Sequence, residues 1–265
     1  MTQDRIEILV CNDDGIFAGG IQALVKAVQP FGKVHVVAPD KPQSGMGHAI
    51  TVGHPLRFVP RKLPNLDIIG YAGSGTPVDC VKWATGVLLK HKPDLIVSGI
   101  NHGYNTSISV VYSGTMSAAL EGCVLGVPSI GFSLGDHRED ADFSACGEVV
   151  QSVVAAVLRN GLIPGTLLNV NIPPISHSQM AGIKITRQAV GRWVEEFDTR
   201  LDPHGKPYYW LGGKFLLDDE GEDTDEWAIR HNYVSMCPVM YDMTDHNRIS
   251  VLNRWHLTLS ELANI

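Results

Sequence analysis

The chain has 265 residues, 44% of them hydrophobic, and carries a formal charge of -7 at pH 7. That length and apolar content fit one large folded domain, alone or with a smaller extension, and exclude a disordered chain; the acidic balance excludes a broad basic surface for a nucleic-acid polymer. No apolar stretch reaches the ~20 residues of a membrane span, the five cysteines form no C-x-x-C pair, and residues 1–5 lead into an apolar run too short for a signal peptide, so a cytoplasmic protein with reduced, buried thiols and no membrane partner is expected.

Residues 6–11 are an apolar run broken only by Glu7, which predicts a buried parallel strand. Ile21, Leu24, Val25 and Val28 then recur at helical spacing, and Pro30 ends that helix. Residues 34–38 form a second strand, so the chain opens as the βαβ unit of a doubly wound sheet. A polar, Gly-rich loop over 39–51 and a proline-containing hairpin over 52–71 follow. Val78, Val81, Trp83, Val87 and Leu88 mark a helix that ends near His91-Lys92-Pro93. A strand at 95–97, a helix over 118–124, a strand at 129–132, a helix over 149–158 and a strand at 167–172 complete the parallel series.

Beyond about residue 180 the pattern changes to hairpins and a closing helix. Residues 183–185 alternate with polar neighbours, Tyr208-Tyr209-Trp210 form an aromatic run, and residues 218–226 are an acidic stretch that reads as a solvated loop. The expected fold is α/β: a Rossmann-like, doubly wound, mostly parallel sheet in a three-layer αβα core over residues 1–180, with a β-rich C-terminal extension over 181–265.

In open α/β sheets, ligands bind beyond the carboxyl ends of the strands. The segments there are Asn12-Asp13-Asp14-Gly15, the loop from Pro39 to Gly45, the stretch from Ser98 to Asn105, and Tyr112-Ser113-Gly114-Thr115. Two adjacent carboxylates repel each other unless a cation lies between them. Asp13 and Asp14 supply that charge, and Ser44 and Asn101 can add neutral oxygens. An all-oxygen set suits Mg²⁺ or Mn²⁺ rather than Zn²⁺. Alone, Asp-Asp-Gly reads equally well as a capped turn; its convergence with the other loops favours the metal. Ser113-Gly114-Thr115 opens a helix whose free N–H groups and positive dipole end suit an anion. Asn105 can donate to the same anion or stabilise a turn. His48 and His102 lie in the same loops, where either can protonate a leaving alkoxide or serve as an ordinary hydrogen-bonded loop histidine.

Together these segments resemble the SurE family of survival-protein nucleotidases. The resemblance is carried by ILVCNDDGIFAGGI at 8–21, VVAPDKPQSGMGHAIT at 36–51, GTPVDCVKWA at 75–84, PDLIVSGINHGYN at 93–105 and YSGTMSAALEG at 112–122, with EDTDEWAIRHNYVSMCPV at 222–239. It implies a 5'-nucleotidase that hydrolyses nucleoside monophosphates, with 3'-nucleotides and short polyphosphate as further substrates. It implies one divalent cation per subunit, Mg²⁺ or Mn²⁺, at a site Ca²⁺ can also occupy. The metal ligands would be Asp13, Asp14, Ser44 and Asn101, and the phosphate contacts Asn105, Ser113, Gly114 and Thr115. It further implies a homodimer or homotetramer whose β-rich extension exchanges segments between subunits. Hydrolysis by a metal-activated water, with Asp13 or Asp14 taking the proton, is the expected chemistry; a covalent aspartyl-phosphate is the alternative role for the pair.

Three other functions compete. A dinucleotide-dependent oxidoreductase needs a G-x-G-x-x-G after the first strand, and here an acidic pair stands there instead. A serine hydrolase is raised by Gly131-Phe132-Ser133-Leu134-Gly135, but polar residues 136–142 separate that match from the next helix, where a nucleophile elbow requires an immediate turn. A nucleotide-binding regulatory module without catalysis uses the same residue types.

Overall fold

The computed structural model describes residues 6–257. The lead from Met1 to Arg5, on which the signal-peptide expectation rests, lies outside them. In chain order the elements are β1 (Glu7–Cys11), α1 (Gly19–Val28), β2 (Lys33–Pro39), β3 (Phe58–Lys62), β4 (Ile69–Gly73), α2 (Pro77–Trp83) and β5 (Leu95–His102). They continue with α3 (Ser109–Tyr112), α4 (Gly114–Val124), β6 (Ser129–Leu134), α5 (Cys146–Asn160) and β7 (Thr166–Ile172). The last part holds β8 (Gly182–Ile185), β9 (Gly191–Val194), β10 (Phe197–Leu201), β11 (Pro207–Leu211), β12 (Lys214–Leu217), α6 (Asp225–Arg230), β13 (Tyr233–Met240) and α7 (Ile249–Leu252).

A nine-stranded sheet runs in the order β3-β4-β2-β1-β5-β6-β7-β13-β8. From β2 to β7 every pairing is parallel. β1 shows why: it is buried on both faces. Ile8 and Val10 join the core that α1 and α5 fill with Ile21, Leu24, Val150 and Val153. Leu9 and Cys11 join the opposite core with Cys80 and Val81 of α2 and Ala118 of α4. Helices therefore cover both faces, giving the three layers that short, all-apolar strands require. The α1 stripe of Ile21, Leu24, Val25 and Val28 is buried as its spacing predicts.

The chain leaves β1 toward β2 on one side and returns to β5 on the other. The two carboxyl ends therefore splay apart between β1 and β5, the topological switch point where open α/β sheets bind ligands. The hairpin expected over 52–71 is β3–β4, and β4 extends the main sheet by pairing parallel to β2. In the C-terminal part, β13 inserts antiparallel beside β7 and carries β8 at the sheet edge. β10–β11 and β9–β12 form two separate antiparallel pairs. Tyr208, Tyr209 and Trp210 lie exposed on β11.

Three local expectations change. The strand predicted at 95–97 runs on to His102, because β5 resumes pairing with β6 at Asn101 after a register shift; Asn101 is thus a strand residue and not part of a loop. The helix predicted through Leu88 is regular only to Trp83 and then widens into π-type turns over Ala84–Leu89. The acidic stretch 218–226 is not wholly a solvated loop, because Asp225 and Glu226 open α6 and are buried at 1% and 8% exposure. All five cysteines are free and buried. No helix among the described residues is long and apolar enough to cross a membrane.

Because Leu24 is fully buried in the core between α1 and the sheet, Leu24→Ala is expected to cost about 2–5 kcal/mol. Urea denaturation followed by circular dichroism checks this.

Candidate active site

Asp13 and Asp14 follow directly after β1. Asp13 is buried at 3% exposure, and Asp14 is half-buried. The backbone N–H of Gln43 donates to the Asp13 carbonyl at 2.7 Å, which holds the loop carrying Ser44, itself exposed, against the acidic pair. Two helix carboxylates fix the far end of that loop. Asp79, in the capping box of α2, accepts from the Thr51 N–H at 3.1 Å, and Thr76 donates to the Ala49 carbonyl at 2.7 Å. Glu121 on α4 accepts from His48 Nε2 at 3.1 Å and from Lys82 Nζ at 2.6 Å.

Asn101, at the end of β5, spends its amide N–H groups on the carbonyls of His102 and Gly103, at 3.2 and 2.9 Å. Its side-chain oxygen is the atom left to offer a ligand. The His102 backbone N–H points at Asp14 Oδ2, 3.4 Å away, while its ring Nδ1 lies 2.9 Å from the Arg138 carbonyl. The histidines thus have different places: His102 borders Asp14, and His48 is tied to Glu121.

The N-terminus of α4 closes the arrangement. Ser113 is its cap and accepts from the Met116 N–H at 3.0 Å. The Thr115 hydroxyl donates to Asp13 Oδ1. Gly114 is there because of distance: a Cβ on it would lie 2.7 Å from the Asp13 Cβ and 2.9 Å from Oδ2. Only a residue without a side chain lets the helix start and the carboxylate come this close.

Burial, and next the charge of Asp14, push the Asp13 carboxyl up to about 6, against the hydrogen bonds from Thr115. Burial also raises Asp14, opposed by His102. No Lys or Arg among the described residues makes an ion pair with either. No group of three His, Cys, Asp or Glu side chains gathers to hold a metal among the described residues. The donors available are two carboxylates, an amide oxygen and a hydroxyl loop, a hard-oxygen set that suits Mg²⁺ or Mn²⁺ and uses neutral groups beyond the second ligand. A buried and a half-buried carboxylate side by side, with no Lys or Arg paired to them among the described residues, fit a divalent cation.

Asn105 is held by groups the sequence reading did not single out. Its side-chain amide donates to Ser133 Oγ at 2.8 Å, its N–H to Asn171 Oδ1 at 2.8 Å, and its carbonyl accepts from Asn169 at 2.7 Å. Asn171 in turn donates to Asn169 at 3.0 Å. The signal for these was two Asn at i, i+2 in the otherwise apolar β7, which places both on one face of a buried strand. Ser133 sits within β6, fully buried, and not on a strand-to-helix turn. The residues that follow are fixed from α6. Asp225 accepts from the Ser107 N–H at 2.8 Å and the Ala189 N–H at 2.9 Å, and Glu226 accepts from the Thr106 hydroxyl at 2.5 Å.

Asp225→Ala takes the acceptor away from three buried N–H groups, those of Ser107, Ala189 and Glu226, and is expected to lower the unfolding free energy by about 1–3 kcal/mol, read by urea denaturation. Glu220→Ala, from the exposed part of the same acidic stretch, is expected to leave it unchanged.

Comparisons with known proteins place the chain in a family. The family described as survival protein SurE matches residues 8–195. A 5'-nucleotidase SurE of Cytophaga hutchinsonii is 55% identical over 249 residues, spanning 93% of this chain and 95% of that protein. A 5'-nucleotidase SurE of Flavobacterium psychrophilum is 52% identical over 250 residues, spanning 94% and 97%. A crystal structure of the SurE protein from Aquifex aeolicus superposes with a TM-score of 0.80 at 39% identity, covering 95% of this chain and all of that one. With a family match over most of its length and relatives above half identity across nearly all of it, the chain belongs to the survival protein SurE family.

Proposed function

We propose that the chain is a divalent-metal-dependent 5'-nucleotidase, a phosphomonoesterase acting on nucleoside monophosphates, with 3'-nucleotides and short polyphosphate as further substrates of the same site. The observation that carries this reading is the Asp13–Asp14 pair, without a Lys or Arg partner among the described residues, with its buried member Asp13 packed against the N-terminus of α4. The activity carried in the names of the relatives supports it. Asp13, Asp14, Ser44 and Asn101 would hold a Mg²⁺ or Mn²⁺ ion. When bound, such an ion supplies charge neutralisation and Lewis-acid polarisation of a phosphoryl oxygen.

The chain's own residues do the rest. Asp14, the more exposed carboxylate, is the one with access to a water and is the better placed proton acceptor. Thr115 acts through Asp13, fixing its carboxyl group by a hydrogen bond. The first-turn N–H groups of α4 and the Ser113 hydroxyl stabilise charge on the phosphoryl oxygens. Asn105 lends its polar side chain beside them, held in place by Ser133 and Asn171. A homodimer or homotetramer is part of the same reading, with the exposed aromatic hairpin β10–β11 as the face to be covered.

Phosphate release from a panel of nucleoside monophosphates tests the reading. Activity is expected with Mg²⁺ or Mn²⁺, to vanish in chelator and to return on adding the ion; activity undiminished by chelator would reject it. Asp14→Asn is expected to lose about 10²–10³-fold in kcat, the usual size for removing one charge-stabilising group. The same variant should be more stable than the parent when metal-free. Asp13 titrates in the folded state at about 6 rather than 3.8, so the metal-free fold loses stability as pH rises through that interval. Removing the Asp14 charge shrinks that loss, and thermal midpoints at pH 8 in chelator measure it. A serine-reactive phosphonate is expected to leave the activity intact, since Ser133 is fully buried.

A further inference from the structure

The segment that carries Ser44 is bracketed by contacts on both sides. Upstream, the Gln43 N–H donates to the Asp13 carbonyl at 2.7 Å. Downstream, the Gly47 N–H donates to the Tyr112 carbonyl at 3.1 Å, and His48 Nε2 lies 3.1 Å from Glu121 Oε2. Tyr112 immediately precedes the α4 cap Ser113, and Glu121 is on α4 itself, so both downstream contacts lead to that helix. Helix α4 is in turn bonded to Asp13 through Thr115. The contacts form a closed ring, from Asp13 through Gln43, Ser44, His48 and Glu121, along α4 and back to Asp13. Among the described residues, His48 is the one side chain of segment 40–48 that hydrogen-bonds to another element. Between Ser44 and His48, Gly45 and Gly47 stand at φ +74° and +53°. Glycine imposes little backbone preference of its own, so Ser44 takes its place from the anchors.

The chemistry of Glu121 suits an anchor. Its side chain is 3% exposed and accepts from His48 on one oxygen and from Lys82 Nζ, at 2.6 Å, on the other. Burial raises its carboxyl, but the bonds from His48 and Lys82 outweigh this and hold it below the usual carboxylate range. An ionised carboxylate only accepts, so His48 Nε2 carries a proton and donates it. Such a charge-assisted bond is stronger than one between neutral groups. The same placement takes His48 away from proton transfer at the acidic edge. Glu121 lies seven residues, about 10 Å of helix, beyond Gly114, which packs on Asp13. The His48 ring also borders an apolar cavity of about 290 Å³ formed with Val110, Met116 and Leu120 on the flank of α4.

We propose that His48 is a positioning residue of the metal site: bonded to Glu121, it closes the ring that presents the Ser44 hydroxyl to the ion held by Asp13 and Asp14. The proposal rests on the reading above for the identity of the metal ligands. It makes His48 a tie within the protein and not the acid that protonates the leaving group. It also gives Glu121 a part in metal binding from about two helical turns away. Lys82 shares the carboxylate but makes no hydrogen bond to the loop among the described residues, so it stands outside the ring.

The deciding experiment titrates Mn²⁺ by calorimetry into the metal-free full-length protein without nucleotide, so that the readout does not depend on catalysis. His48→Ala and Glu121→Met are each expected to weaken Mn²⁺ binding about tenfold or more, the usual size for removing a partner that orients a metal ligand. The double variant should lose little beyond either single one, because both break the same contact. His48→Gln, whose amide N–H reaches for the same carboxylate, and Lys82→Met are expected to stay within about threefold of the parent. In a Ser44→Ala background, His48→Ala should change the affinity by less than about threefold, since it acts through Ser44. Equal Mn²⁺ affinity in the parent and His48→Ala overturns the proposal, even if the metal-free thermal midpoint of the variant falls. So does a loss in His48→Gln or Lys82→Met as large as that in His48→Ala, or an undiminished effect of His48→Ala without Ser44. A parent that binds no Mn²⁺ rejects the metal assignment itself, and the proposal with it.

Discussion

Two carboxylates, adjacent in sequence where a central strand ends, one buried and one half-buried, impose a repulsion that the surrounding structure has to accommodate. Among the described residues no Lys or Arg is paired with them. What approaches Asp13 is a helix N-terminus and a threonine hydroxyl, groups that moderate a negative charge without neutralising it. On the proposed function, that leaves the pair open to a cation and a phosphate together, which a lysine in the same place would prevent. The fold subordinates local economy to this: α4 can start where it does only because residue 114 has no side chain.

Around the pair, flexible segments are converted into fixed ones by buried polar contacts. The Ser44 loop is held at Asp13, at Glu121 and at Asp79, so its ends belong to three different elements. The stretch after Asn105 is held by the Asn169–Asn171 pair below and by Asp225 and Glu226 beside it. Fully bonded buried networks of this kind rigidify a site, because breaking any one contact strands another group in a low-dielectric interior.

The parts of this architecture that follow from local chemistry were legible in the sequence. The run Ile8 to Cys11 had to be a strand buried on both faces, and the stripe Ile21, Leu24, Val25, Val28 had to face a core. The polar segments after those strands then had to meet at one edge. What escaped was set by distant partners. Nothing local tells β13 to insert between β7 and β8, since that pairing joins residues separated by tens of positions. Asp225 and Glu226 were hidden among carboxylates that are solvated. The clue was Thr224, which caps a helix that continues with Trp227, Ala228 and Ile229. Asn169 and Asn171 were hidden by the apolar residues around them. The reach of β5 to His102 depended on β6, which resumes pairing after an irregularity that the sequence does not announce.

The tether from Asp225 to Ser107 also has a temporal side. Every residue of the acidic edge, from Asp13 to Thr115, is synthesised before the first half of the chain is complete, but the carboxylate that seats the 106–107 turn comes more than a hundred residues later. The same carboxylate binds Ala189, at the entry to the β9–β12 arm. Domains made on the ribosome settle from their N-terminus onward. In a nascent chain the 106–107 turn would therefore lack this tether until Asp225 has been made. The C-terminal part thus supplies the carboxylate that seats a turn built by the first half, and the two regions are joined through that one side chain.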